Sequence, residues 1–151
     1  ARIRLADAVG LLHDVGRFGQ FRDYGTYYDG DSIDHGDAGA ETLENAFPWG
    51  DVDAPVRGII LDAVRHHNKK TLPADLASGS LPFARIVRDG DKLDVYQLVQ
   101  GYVREGRVSD LLPRIRADGP LSPALCDEVR ENGAASYPDF AINYKNYICE
   151  G

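Results

Sequence analysis

The sequence predicts an all-α fold, a helical bundle. Three observations lead there. Apolar residues recur at three- and four-residue steps through most of the first hundred positions. No segment alternates apolar and polar residues toward a hairpin turn. Clusters of Gly, Pro and Asp break the pattern at helix-length intervals. Helical periodicity between such breaks is what a bundle needs, because each helix buries one stripe against its neighbours.

The elements follow in order. Ile3, Ala6, Val9 and Leu12, with Leu5 beside them, form one face of a first helix, and Gly16 stands where a C-terminal cap belongs. Residues 18–34 carry Gly19, Gly25, Gly30, four aspartates and the aromatics Phe18, Phe21, Tyr24, Tyr27 and Tyr28. That composition predicts a loop of about 15 residues, a length usually tied to function or disorder. The aromatics would either lid a site and stack on a base or pack under the loop, and the packing reading is slightly favoured. Asp34 is a good N-cap for a second helix with Ala38, Leu43 and Phe47 on its apolar side, stopped by Pro48. A third helix runs from Asp53 to about His67, with Pro55 in its first turn and Val56, Ile60, Ala63 and His67 as its stripe. A fourth runs from about Pro82 to Arg104, lined by Phe83, Val87, Asp91, Val95, Leu98 and Tyr102. Short helices are expected at 108–116 and 122–132, and the aromatic tail after them fits neither pattern.

Composition bounds the function. The 151 residues fit one domain, here taken as 1–151, and suffice for a core without staples. Two cysteines, Cys126 and Cys149, make no disulfide framework, which points to a reducing compartment and a cytoplasmic location. No apolar run approaches the roughly 18 residues of a membrane span. A net charge of −7 argues against a nucleic-acid backbone as partner, yet admits a small phosphorylated substrate whose charge a metal neutralises. The sequence has no methionine. Either residues precede Ala1 or methionine positions have been lost from the chain.

The chemistry concentrates in the histidines. All four, His13, His35, His66 and His67, sit at a helix start or end beside a long loop. Asp91 lies on the apolar stripe of the fourth helix, where a lone carboxylate costs several kcal/mol unless a cation or metal meets it. Taken singly, each has an ordinary explanation: a hydrogen-bonded core histidine, a surface pair, an Asp91 matched by Arg85 or Arg88. Their coincidence, one element per helix, is what suggests a site. Imidazole with carboxylate suits Zn, Mn, Fe or Ni rather than a thiolate centre. Asp14 has two oxygens and can bridge two ions. A metal-bound water acquires a pKa near 7, and two ions about 3.5–4 Å apart stabilise both oxygens of an in-line phosphoryl displacement.

These residues resemble the HD-domain superfamily, whose pattern is His … His-Asp … (His … His) … Asp on a helical scaffold. The resemblance rests on Leu11-Leu12-His13-Asp14-Val15-Gly16-Arg17, Asp34-His35-Gly36, Arg65-His66-His67-Asn68 and Arg88-Asp89-Gly90-Asp91-Lys92-Leu93-Asp94, and it spans about residues 2–100. It implies a metal-dependent phosphohydrolase that attacks a phosphate ester or anhydride, such as a nucleotide, with metal-bound hydroxide. It implies His13, Asp14 and Asp91 at a primary metal site, with His35 and His66 or His67 completing a second. The cofactor would be one or two divalent ions: Mn, Fe, Ni, Zn or Mg. The paired histidines resemble the dinuclear members, including cyclic-dinucleotide phosphodiesterases. Asn68-Lys69-Lys70 stands where their Gly-Tyr-Pro signature would follow, so that substrate is not inferred. The family's first histidine belongs on a helix upstream of the His-Asp pair, so such a helix is expected before residue 1.

Arg17 and Lys92 are candidate phosphate contacts, with salt bridges as the ordinary alternative, and Asp89 or Asp94 could accept a ligand's N–H. Two other functions share the same ligands: an HD-fold di-iron oxygenase, and a non-catalytic HD module that senses a ligand or scaffolds a partner. Oligomeric state is not legible.

Overall fold

The computed structural model describes residues 2–107 and 123–133. All regular structure among them is helical. The helices are α1 (Arg2–Leu12), α2 (Gly16–Tyr24), α3 (His35–Ala46), α4 (Ala54–His66), α5 (Leu81–Arg104) and α6 (Pro123–Asn132), with a single 3₁₀ turn at Asp29–Asp31. The chain divides into two compact units, Ala1–Val95 and Tyr96–Gly151. The first holds α1 to α4 and the start of α5. The second holds the rest of α5 and α6, which falls within the helix expected at 122–132. The helix expected at 108–116 and the aromatic tail lie outside the described residues.

In the first unit α3 packs against both α2 and α4, and α1 packs against α4. Val9, Leu43, Ile60, Val64 and Val87 are buried at the centre, with Leu5, Leu12, Val15, Trp49 and Phe83 around them. Val9 and Leu12, Leu43, and Ile60 with Ala63 thus lie on the stripes anticipated for the first, second and third helices, whereas Phe47, expected on the apolar side of the second, follows α3 and is exposed. Two more details differ. Ile3 is largely exposed, and Val95 and Leu98 on α5 are nearly half exposed. The apolar stripe of α5 thus fades after Asp91.

The larger difference is residues 16–24, expected in part as loop. They form α2, which ends where Gly25 adopts a left-handed φ of 67° and its N–H closes on the Phe21 carbonyl at 2.8 Å. Gly16 is not a C-terminal cap. It starts α2, and it is glycine because a Cβ there would fall on the His35 carbonyl oxygen and lie 2.6 Å from the Gly39 nitrogen. The Gly16–Gly39 contact lets α2 and α3 approach backbone to backbone. Asp34 caps α3 as expected, accepting the Asp37 N–H at 3.0 Å, and Pro55 lies in the first turn of α4.

Candidate metal centre

Two helix ends and one helix start deliver the histidines. His13 and Asp14 occupy the turn between α1 and α2. The His13 ring turns back so that Nδ1 meets the Gly10 carbonyl at 2.7 Å. His67 does the same just after α4, with Nδ1 2.7 Å from the Val64 carbonyl. Each ring thereby satisfies a carbonyl that its helix leaves without an intrahelical partner. His35 is the first residue of α3, and its Nδ1 lies 2.8 and 2.7 Å from the two oxygens of Asp29. A carbonyl or carboxylate oxygen only accepts, so all three Nδ1 atoms carry a proton, and in the neutral ring each Nε2 presents a lone pair.

Those lone pairs converge. His35 Nε2 and His67 Nε2 are 2.9 Å apart. Asp14 Oδ1 lies 3.4 Å from the first and 3.5 Å from the second. Asp14 Oδ2 lies 3.7 Å from His13 Nε2, and Asp91 Oδ1 is 3.8 Å from that same nitrogen. The two Asp14 oxygens thus face different partners, His35 and His67 for Oδ1 and His13 for Oδ2, and Asp91 meets that same His13 nitrogen. The ligand atoms of His13, Asp14 and His67 all fall within 4.8 Å of one another. Donors bound to one ion at about 2.0–2.2 Å stand roughly 3–4 Å apart, so these spacings fit a metal.

Electrostatics agree with a cation. α1 and α4 bring their negative C-terminal ends to the cluster while α2 and α3 begin there with their positive ends, so it is the carboxylates of Asp14, Asp29 and Asp91 that tip the balance negative. Burial works against ionisation of Asp14, but the His67 imidazole and the Arg17 charge outweigh it and hold the carboxyl well below its usual range. His13 is pulled up by the adjacent Asp91 carboxylate, against the opposing effect of burial. Asp91 is correspondingly held low by His13. His35 is pushed down, chiefly by its own burial, so its ring stays neutral and free to ligate.

Of the adjacent histidines, His67 reaches the cluster and is wholly buried, whereas His66, the last residue of α4, is half-buried and makes no hydrogen bond or ion pair with the cluster. Successive positions there differ by about 100° around the helix axis, so the two rings cannot both face inward. The same rotation separates Lys92 from Asp91. Lys92 is exposed and lines a shallow cleft with Leu72, Arg85, Arg88 and Asp89, away from the histidines. Asp94 does line the cleft beside His13 and Asp91. Arg17 stays at the cluster, but as part of a network: Nε donates to Asp14 Oδ1 at 3.1 Å and Nη1 to the Tyr27 carbonyl at 2.7 Å. A cleft of about 520 Å³ opens beside them, lined by Leu11, Leu12, Asp14, Val15, Arg17, Phe18 and Tyr27. The loop aromatics do not pack into the core: Phe18 is 80% exposed, and Phe21 and Tyr27 stack at 4.6 Å on the surface.

Sequence reasoning did not single out Asp29, Gln20 or Asn68. Gln20 is wholly buried and donates Nε2 to Asp29 Oδ1 at 2.8 Å, Ser32 Oγ at 2.8 Å and the Ile33 carbonyl at 3.1 Å. Asn68 donates Nδ2 to Asp34 at 2.9 Å and Asp29 at 3.2 Å, while its Oδ1 is buried without a partner. Asp29 is one of four aspartates in its segment, and no helical period links it to His35.

Fold and site together define an all-helical domain with imidazole and carboxylate groups gathered at helix ends. The chain matches the HD domain family over residues 1–96, and it belongs to that family, whose members are largely metal-dependent hydrolases that bind divalent ions. No curated protein and no solved structure matches it significantly. The match ends within a residue of the first compact unit. Among the described residues no helix is long and apolar enough to cross a membrane.

Proposed function

We propose that the protein is a metal-dependent phosphohydrolase acting on a small phosphate ester or anhydride, of which a nucleotide is one example. The observation that carries this reading is the 2.9 Å approach of His35 Nε2 to His67 Nε2. Both nitrogens hold lone pairs, and two lone pairs at that distance repel unless a proton or cation lies between. A divalent cation between them removes that repulsion, and Asp14 Oδ1, 3.4 and 3.5 Å from the two nitrogens, adds the carboxylate that such an ion takes beside imidazole. His35, His67 and Asp14 Oδ1 would hold one ion; His13, Asp91 and Asp14 Oδ2 would hold a second or extend the first. A bound divalent ion supplies a water acidic enough to ionise near neutral pH and neutralises phosphoryl charge.

The protein's own groups do the rest. Arg17 engages its neighbours through Nε and Nη1, which leaves Nη2 as the donor for a phosphoryl oxygen in the cleft that Arg17 lines. Phe18, Tyr27 and Leu11 give the same cleft apolar, partly aromatic walls for the organic part of the ester. One cation in that lining suits a monoester better than a polyphosphate.

The test is phosphate release from nucleoside monophosphates and p-nitrophenyl phosphate by protein loaded in turn with Mn²⁺, Ni²⁺, Zn²⁺ or Mg²⁺. Turnover that chelator abolishes, and that Asp14→Ala removes, is the expected result. Metal binding without phosphate release from any ester, together with oxygen consumption by the iron form, would replace this reading with the oxygenase.

A further inference from the structure

The three converging imidazoles are held in two different ways. His13 and His67 each donate Nδ1–H to a carbonyl of the helix they follow. His35 begins its helix, so no preceding turn offers it a carbonyl. Its Nδ1–H goes instead to a carboxylate, Asp29, in the 3₁₀ turn six residues earlier. That carboxylate is itself held in place. Gln20, wholly buried on α2, reaches it at 2.8 Å, and Asn68, just beyond α4, reaches it at 3.2 Å. A buried amide is costly unless paired, and here its donors converge on the turn that carries Asp29.

We infer that Asp29 is the positioning residue for His35. Its carboxylate accepts Nδ1–H and fixes the ring tautomer that turns the Nε2 lone pair toward Asp14 and His67. Its charge also strengthens Nε2 as an electron donor toward a divalent ion, as carboxylate partners of ligating histidines generally do. Charge support through Nδ1 is thereby given to one imidazole of the three. The second half of this inference rests on the metal-centre reading above; the first half does not.

The experiment uses the full chain, metal-free and ¹⁵N-labelled, with long-range ¹H–¹⁵N correlation of the histidine rings at about pH 8, where imidazole is neutral. A second readout is Zn²⁺ affinity from competition with a chromophoric chelator. In the wild type, His35 is expected as the Nδ1–H tautomer. In Asp29→Ala that tautomer gives way to a mixture, and Zn²⁺ affinity falls about 10–100-fold. In Asp29→Asn the amide oxygen still accepts Nδ1–H, so the tautomer is kept while affinity falls. Ser32→Ala removes a partner of Gln20 without touching His35 and should leave both readouts at wild type. An unchanged tautomer in Asp29→Ala, or an equal loss in Ser32→Ala, overturns the positioning role. Wild-type affinity in Asp29→Asn overturns the charge role, and that variant decides the matter if Asp29→Ala fails to fold. A wild type that binds no Zn²⁺ overturns the metal-centre reading and the charge role with it, while the tautomer comparison still decides positioning.

Discussion

Gly16→Ala is the sharpest perturbation of the scaffold. The added methyl falls on the His35 carbonyl oxygen, 2.6 Å from Gly39 N and 3.0 Å from Gly39 Cα. All three are backbone atoms and cannot rotate away, so α2 and α3 must part by on the order of 1 Å, in an interior packed as densely as a crystal. Overpacking of this kind costs about 1–3 kcal/mol, and backbone contact places Gly16→Ala near the upper end. The same movement draws His35 Nε2 from its 3.4 Å approach to Asp14 Oδ1. Beyond about 4 Å the two no longer share one ion at bonds near 2.1 Å. Urea unfolding followed by circular dichroism should therefore show a loss of about 3 kcal/mol, and chelator competition a Zn²⁺ affinity at least tenfold lower. Gly19→Ala, on the same helix, is the control. Its Cβ meets nothing within 4 Å, so relief of glycine's backbone entropy should leave it neutral or more stable by about 0.5–1 kcal/mol. A Gly16→Ala protein with the wild-type urea midpoint and wild-type Zn²⁺ affinity would refute the backbone-contact reasoning.

Three further outcomes follow from the same geometry. Asp34→Ala removes the α3 N-cap and the carboxylate that Lys69 and Asn68 share, and should cost about 1–2 kcal/mol in urea unfolding; a loss under a few tenths would contradict the cap. Asp14, Asp29, Asp34 and Asp91 are all held below the ordinary carboxylate pKa. Near and below about pH 4 the unfolded chain therefore binds more protons than the folded one, so metal-free protein should lose stability steadily as pH falls through that range. A flat thermal midpoint between about pH 5 and pH 3 would count against those contacts. Arg17→Ala should lower kcat/KM for phosphate esters about 10–100-fold, the worth of a charged hydrogen bond, and Lys92→Ala by less than about twofold. Equal losses in the two would contradict the separate placement of their clefts.

The fold was legible where periodicity and caps agreed. Val9, Leu43, Ile60 and Val87 all belong to stripes visible in the sequence, and Asp34 and Pro55 mark helix starts as their chemistry requires. Residues 18–24 were misjudged because glycine and aspartate signal loops locally, whereas here Gly16 serves a tertiary contact with Gly39 that no local pattern reveals. The site was legible as a set of residue types: His13, Asp14, His35 and Asp91 converge with one of the paired histidines. Which of the pair turned on helix phase at the end of α4. Asp29 was invisible because its tie to His35 is made by the fold of a 3₁₀ turn, and Gln20 because a buried glutamine carries no sequence signature. The exposed ring of Phe18 shows the opposite error, an aromatic credited to the core that faces solvent beside a cleft.

The central claim is that the Nε2 atoms of His13, His35 and His67 face one another around Asp14 in order to hold a cation. Elemental analysis of protein purified without chelator, beside Asp14→Ala and His67→Ala variants shown to be folded by circular dichroism, tests it most directly. The account predicts at least one equivalent of a divalent transition metal per wild-type chain and a loss of most of it in both variants. Metal-free wild-type protein that takes up no Zn²⁺, Mn²⁺, Ni²⁺ or Fe²⁺ on supplementation, or variants that retain the full complement, would contradict it.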